Sequence, residues 1–311
     1  MTATIWLAMI TIGAAWLVSA GCASELPVRP ATQPSTQPAR ELTLDLGNNV
    51  TMKLALIPSG KFMMGSPKDE AGYRDNDGPQ HKVTISSGYY MGVYEVTRGQ
   101  FARFIADTGY KTDGERDGWA WASEGSRWDK VDGASWTNPG FTQTDDHPAV
   151  GVSHNDAVAF CKWLGAKTGQ AVRLPTEAQW EYACRAGTTT PFNTGPTIST
   201  DQANYNGNSV YGAGQAGRYR KSTVAVGSFK PNAFGLYDMH GNVWEWCADW
   251  CEMPYPEAES TDPRGPASGT MRVLRGGCWF IGPANCRSAF RVKNLPDYRA
   301  GHVGFRVVVD W

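Results

Sequence analysis

The chain has 311 residues, with 29 Lys and Arg against 30 Asp and Glu, so its formal net charge is -1. No basic run exists to neutralise phosphates, which excludes nucleic acid as a partner and gives no reason to expect an acidic surface as one. The 35 Gly, 19 Pro and 13 Trp point to turn-rich, irregular backbone with aromatic rings supplying much of the core, and argue against long regular helices.

Residues 5–18 form an apolar run of signal-peptide length, followed by Ser19-Ala20-Gly21 and Cys22. The pattern resembles a bacterial lipoprotein signal in which Cys22 becomes the lipidated first residue. It departs from that pattern in lacking Lys and Arg in the first segment and in having Ser19 where a leucine is usual. A plain signal peptide or an uncleaved anchor is the alternative, and every version exports the domain to face the periplasm or the cell exterior. Residues 23–41 are rich in Pro, Thr and Gln with almost nothing to bury, which predicts a disordered tether between anchor and domain. No second composition break follows, so residues 42–311 read as one large domain.

Within that domain, Leu42–Leu46 and Val50–Ile57 alternate apolar and polar residues around Gly47-Asn-Asn49, the pattern of a β-hairpin. Lys61–Met64 and His81–Ile85 read as further short strands. Thr97 can cap a helix with Phe101, Phe104 and Ile105 inward and Gly109 at its end. Trp119 to Thr144, dense in Trp, Gly and Asp without a period, reads as a long ordered loop. Its Trp119, Trp121, Trp128 and Trp136 suit either the lining of a groove or rings packed underneath to hold the loop. Ser153 with Asp156, and Thr176 with Gln179, have capping-box spacing ahead of helices that carry Cys161 and Cys184 on their apolar faces. Residues 188–219 read as irregular chain, Met271–Leu274 as a strand, and Val303–Val309 as a central strand covered on both faces.

One stretch resists these ordinary readings: Gly235-Leu-Tyr-Asp-Met-His-Gly-Asn-Val-Trp-Glu-Trp246. Gly235, Gly241 and Asn242 favour a turn, and Val243, Trp244 and Trp246 favour a strand with both Trp rings on one face. Asp238 and Glu245 flank the turn, and two carboxylates with free turn carbonyls suit calcium. An ordinary strand entry with solvated acids is the other reading.

Taken with Ile57–Ser66, Tyr94–Thr97, Val152–Val158, Arg173–Tyr182, Arg275-Gly-Gly-Cys-Trp279, Cys286–Ala289 and Gly304-Phe-Arg306, in that order, this stretch resembles the formylglycine-generating enzyme (sulfatase-modifying factor) family. The resemblance runs from about residue 42 to the end. It implies an α+β fold of the C-type-lectin-like superfamily, low in regular secondary structure. It further implies calcium held by the side chains of Asp238 and Glu245 and the carbonyls of Gly241 and Val243. A second calcium site is matched in Asn204 and Tyr205 only, since Arg218 or Arg220 falls where its acid belongs. A disulfide between Cys184 and Cys286 is also implied. Cys161 has lost its family partner, because Val307 follows Gly304-Phe-Arg306, and is expected to be a buried free thiol.

The family's enzyme binds copper through two cysteines downstream of its Gly-Gly-Ser-Tyr/Trp motif. Here Ile281 stands about where the first should be, the second has no equivalent apart from Cys286, and Cys278 replaces the serine. Two expectations follow. One is a non-catalytic or reassigned envelope domain, anchored to the membrane by its N-terminus and presenting a rigid surface to a peptide, protein or glycan. The other is an oxidase acting on exported sulfatases through a rebuilt copper site drawn from Cys247, Cys251 and Cys278.

Overall fold

Two left-handed asparagines set the first strand pair. Asn48 and Asn49 take φ of 52° and 62°, the conformation in which a two-residue turn follows the twist of its flanking strands. β1 (Glu41–Gly47) accordingly folds back on β2 (Val50–Ile57), with Leu44, Leu46, Met52 and Leu54 buried. This computed structural model describes residues 40–124 and 127–311. The expected signal segment 1–22, with Cys22, and the tether up to residue 39 lie outside the described residues, all of which fall in one compact unit.

Next, β3 (Gly60–Met64) pairs with β4 (His81–Ile85), and β5 (Tyr89–Gly92) pairs with β2. Thr97 and Gln100 satisfy each other's backbone reciprocally at the head of α1 (Arg98–Thr108), which ends on left-handed Gly109. Thr112 and Glu115 do the same for α2 (Asp113–Asp117), a helix the sequence reading missed.

The region from Trp119 to Thr144 is not a plain loop. It opens with an antiparallel hairpin, β6 (Trp119–Glu124) with β7 (Arg127–Asp132). Its inward residues Ala120 and Ala122 are too small to mark a strand by hydrophobic alternation, which is why the period was invisible. The expected boxes at Ser153 and Thr176 open α3 (His154–Thr168), then, after β8 (Val172–Arg173), α4 (Glu177–Arg185). Left-handed Ala186, one residue before Gly187, caps α4.

Residues 188–243 hold no named helix or strand. β9 (Trp244–Trp250), β10 (Ser260–Thr261), β11 (Arg272–Arg275) and β12 (Arg291–Asn294) follow. The last apolar run, expected as one strand, splits into β13 (Val303–Gly304) and β14 (Val308–Asp310). Phe305, Arg306 and Val307 between them are all buried, which a strand alternating between two faces does not arrange when one of the three is charged. β14 lies between β5 and β8 in a five-stranded sheet, order β1-β2-β5-β14-β8, whereas β13 edges a second sheet, order β12-β11-β9-β13. A smaller sheet, β10-β4-β3, and the β6-β7 hairpin complete a mixed α+β fold with little regular secondary structure.

Candidate functional site

β9 divides the site. Trp244 and Trp246 share the face expected of them and enter the largest apolar cluster with Leu274 and Cys278, while Cys247 and Val273 enter a second cluster. Glu245, between the two rings, is fully buried. Arg306 Nε and Nη2 donate to its two oxygens at 2.6 and 2.7 Å, and Trp180 Nε1 donates to Oε2 at 2.7 Å. Arg306 also donates to the carbonyls of Gly92 and Tyr237, each at 3.0 Å, tying β5 and the Gly235 turn to β9. Glu181 accepts from Arg185 at 2.8 Å and from Arg275, and Glu177 accepts from Arg291 at 2.6 and 2.7 Å. Such pairs endure burial only because each charge is met and its remaining hydrogen bonds are filled.

The paired glycines after Arg275 serve close approach. Gly276 and Gly277 both have positive φ, and a Cβ would stand 3.1 Å from the Trp180 ring at the first and 2.5 Å from Cys286 Sγ at the second.

At the turn before β9, Asp238, Gly241 and Asn242 all have positive φ. Asp238 Oδ2 accepts the Gly227 N–H at 2.7 Å, while Asp238 Oδ1 and Glu95 Oε2 are buried without a partner. Burial pushes the Asp238 carboxyl up to about 6, and burial followed by Asp238 pushes Glu95 well above its ordinary value. Glu95, Asp238 and Glu245 thus share the single guanidinium of Arg306. The orphaned oxygens are those of Asp238 and Glu95, whereas both Glu245 oxygens are taken by Arg306 and Trp180, so in the shell of a hard cation at this turn only Asp238 of the expected pair would offer a free carboxylate oxygen. No cluster of three or more His, Cys, Asp or Glu side chains arranged for a metal occurs among the described residues, so carbonyl oxygens would carry much of that shell.

The second set is different. Asn204 Nδ2 donates to the Ser222 carbonyl at 2.9 Å and Asn242 Oδ1 at 3.2 Å, and Tyr205 Oη donates to the Ile198 carbonyl at 2.9 Å. Arg220 donates to the Thr200 carbonyl at 2.8 Å, so a guanidinium stands in the region where an acid was needed. Asn204 Oδ1 is buried without a partner, but with a guanidinium in place of the acid the set lacks the negative charge a second calcium needs.

All six described cysteines are free. The bridge between Cys184 and Cys286 is therefore not formed. His240 Nε2 lies 3.8 Å from Cys184 Sγ, and its Nδ1 donates to the Cys286 carbonyl at 2.7 Å, while Cys286 Sγ turns toward Gly277. Because a carbonyl only accepts, the proton is on Nδ1, and Nε2 accepts from Asn193 N–H at 3.0 Å. Cys161 is buried, and burial pushes its thiol up to about 12.

Cys278 is not assembled with Cys247 and Cys251. Cys247 enters the second cluster, and half-buried Cys251 packs against that same cluster. The thiol beside Cys278 is Cys286, whose sulfur accepts from the Cys278 backbone. Burial raises Cys247 and Cys278 well above the usual thiol range. Ile281 is half-buried, wedged between two apolar clusters. Around Cys278 the structure gathers residues that sequence reasoning missed: Tyr298, pushed up by burial and by Cys278, and His302, pushed down to about 3 by burial. Tyr298 Oη lies 3.4 Å from His302 Nε2, and His302 Nδ1 is buried without a partner. The rings of Trp128 and Phe280 approach His302 at 4.3 and 4.6 Å, and Trp136 packs edge-on to Phe101. Trp136 is thus packed underneath, whereas Trp119, Trp121 and Trp128 stay half-buried, so each of the two readings holds in part. The only sequence signal for His302 is its place two residues before Gly304-Phe-Arg306.

Comparison with known proteins bears on the whole domain. Residues 45–311 match the Sulfatase-modifying factor enzyme 1-like domain. The formylglycine-generating enzyme of Thermomonospora curvata is 38% identical over 83% of this chain and 93% of its own length. The inactive C-alpha-formylglycine-generating enzyme 2 of Bos taurus is 32% identical over 85% of this chain and 90% of its own. PvdO from Pseudomonas aeruginosa superposes with a TM-score of 0.73 at 32% identity, over 88% of this chain and all of that one. The chain therefore belongs to the sulfatase-modifying factor enzyme 1-like family and has its fold.

Proposed function

We propose that this chain is an exported, membrane-anchored member of the family that has left copper-thiolate oxidation and binds a peptide, protein or glycan at the cell envelope. The observation that carries this reading is the surroundings of Cys278. An isoleucine packed into apolar contacts occupies the first copper position, and an isoleucine offers no lone pair to a metal. The rebuilt-site alternative loses Cys247 and Cys251 as partners for Cys278 and keeps only Cys286, with both thiols fully buried and raised. A relative 32% identical to this chain is itself named inactive, so loss of the activity does occur among its relatives. Calcium at Asp238 and Glu245 is proposed as a brace.

The deciding experiment incubates reduced, copper-treated protein with oxygen and a cysteine peptide carrying a sulfatase motif. No aldehyde and no stoichiometric copper are expected. An aldehyde abolished by Cys278→Ala restores the enzyme. Anchoring is read separately, by fatty-acid labelling that Cys22→Ser should remove.

A further inference from the structure

A cavity of about 240 Å³ opens beside the C-terminal end of β9, lined by Asp249, Trp250 and Tyr255 together with His81, Ser260 and Arg264. We propose that it binds one neutral sugar ring of a glycan. This gives the binding role proposed above a place and a ligand class, and it stands or falls separately from the copper assay.

Size comes first. The volume lies below the range of about 300–1,000 Å³ typical of pockets for drug-sized ligands, so a single ring fits and an extended chain does not. Pro256, Pro263 and Pro266 line the cavity and restrict its backbone, which keeps the opening preformed. Gly265, at a φ of 68°, lets the wall close over Asp249: a Cβ there would stand 2.8 Å from the Trp250 carbonyl oxygen.

The polar atoms decide the chemistry. Asp249 Oδ2 accepts the Glu177 N–H at 2.8 Å, which leaves Oδ1 near Gly265 of the wall. His81 Nδ1 donates to the Pro79 carbonyl at 3.0 Å, so its Nε2 is left as an acceptor. Ser260 Oγ is buried without a partner, and exposed Arg264 supplies donors. Donors and acceptors are therefore mixed around a proline wall in which Arg272 covers one face of Trp250 and Arg291 one face of Tyr255, leaving ring edges and proline carbons for the apolar side of a pyranose and the polar groups for its hydroxyl rim. A purely apolar ligand would leave the buried groups, Ser260 Oγ above all, without a partner.

Charge argues against a cationic ligand. Arg291 already neutralises Glu177 with two hydrogen bonds, and Arg264 stands at the same wall. A cationic side chain would meet two guanidiniums at this wall. Burial and the nearby Glu177 push Asp249 up to about 7, so near neutrality its carboxyl can accept from or donate to a hydroxyl.

The test exposes the full calcium-treated chain to a panel of methyl glycosides and immobilised neutral oligosaccharides, following Trp fluorescence and calorimetry. Ala258→Trp fills the cavity from an exposed wall position and leaves the core untouched. Saturable binding to at least one neutral glycoside is expected, weakened about tenfold or more by Ala258→Trp, which is about 1.4 kcal/mol, and unchanged by Cys278→Ala. Three results would overturn the proposal: no saturable binding across the panel, binding indifferent to Ala258→Trp, or a preference for amines that Asp249→Asn abolishes.

Discussion

The two sides of β9 differ in kind. One side, with Trp244, Trp246 and Cys278, is apolar, and no metal-ligating cluster forms on it among the described residues. Away from it, Glu245, Glu177 and Glu181 are buried with arginines on them, and Asp249 stands at the wall of a cavity. The contrast teaches that most of the motif residues by which the family is recognised are framework, holding strands and turns together through charge. The positions at which the resemblance puts copper lie on the apolar side, where Ile281 and Cys278 stand, and the proposed loss of oxidation rests there.

If the charged side is framework, breaking it should cost most. Arg306→Met leaves Glu245 buried with only Trp180 to meet it, and removing one partner of a buried pair costs about 3–5 kcal/mol. Urea unfolding of the variant should show that loss, or no folded protein at all. A cost below about 1 kcal/mol, the range of exposed pairs, would erase the distinction between the two sides.

The next effect is on pH dependence. Asp249 ionises near 7 in the fold and near its ordinary 3.8 when unfolded, so between those values the folded state binds the extra proton. Stability contributed by this group is therefore present at low pH and falls as pH rises through that window, by a few kcal/mol at about 1.4 kcal/mol per unit. Asp249→Asn keeps an oxygen for the Glu177 N–H and should flatten the fall. An unchanged pH profile would place the titration elsewhere.

How much of this was legible follows the same division. The helix heads were readable because Thr97, Ser153 and Thr176 and their partners three residues on are local chemistry, and the structure makes every one of those boxes. The Asn48-Asn49 turn is likewise local. The β6-β7 hairpin was hidden by alanines, and the last run was read as one strand because nothing near Arg306 in sequence shows that its partner, Glu245, lies 61 residues away. At the candidate site, Asp238 and Glu245 stand out in the sequence as acids flanking a turn, and Cys278 stands out through the family resemblance. Glu95, Tyr298 and His302 were not, since their importance lies in burial and in what they approach across the fold.

Removing calcium should act between these regions. A chelator is expected to lower Tm, by an amount equivalent to about 2.7 kcal/mol where free ion stood at a hundred times its dissociation constant. Asp238→Asn should abolish the difference between chelated and calcium-treated protein, because it removes the charge that the orphaned Asp238 Oδ1 carries. A Tm indifferent to chelation would mean that Arg306 alone satisfies the three acids.

The smallest effect belongs to the apolar side. Cys278 is fully buried, its sulfur packed by rings and by Cys286 and raised well above the usual thiol range, so it is neither a thiolate nor accessible. Truncation by Cys278→Ala removes a single buried atom beyond Cβ and should cost about 1 kcal/mol, comparable to the loss of one buried methylene. Thiol titration of the native protein should label half-buried Cys251 first among the described cysteines, with Cys278 reacting only after unfolding. Rapid labelling of Cys278 in the folded protein, prevented by added copper, would show an open, metal-competent thiol, and the two sides of β9 would then have exchanged roles.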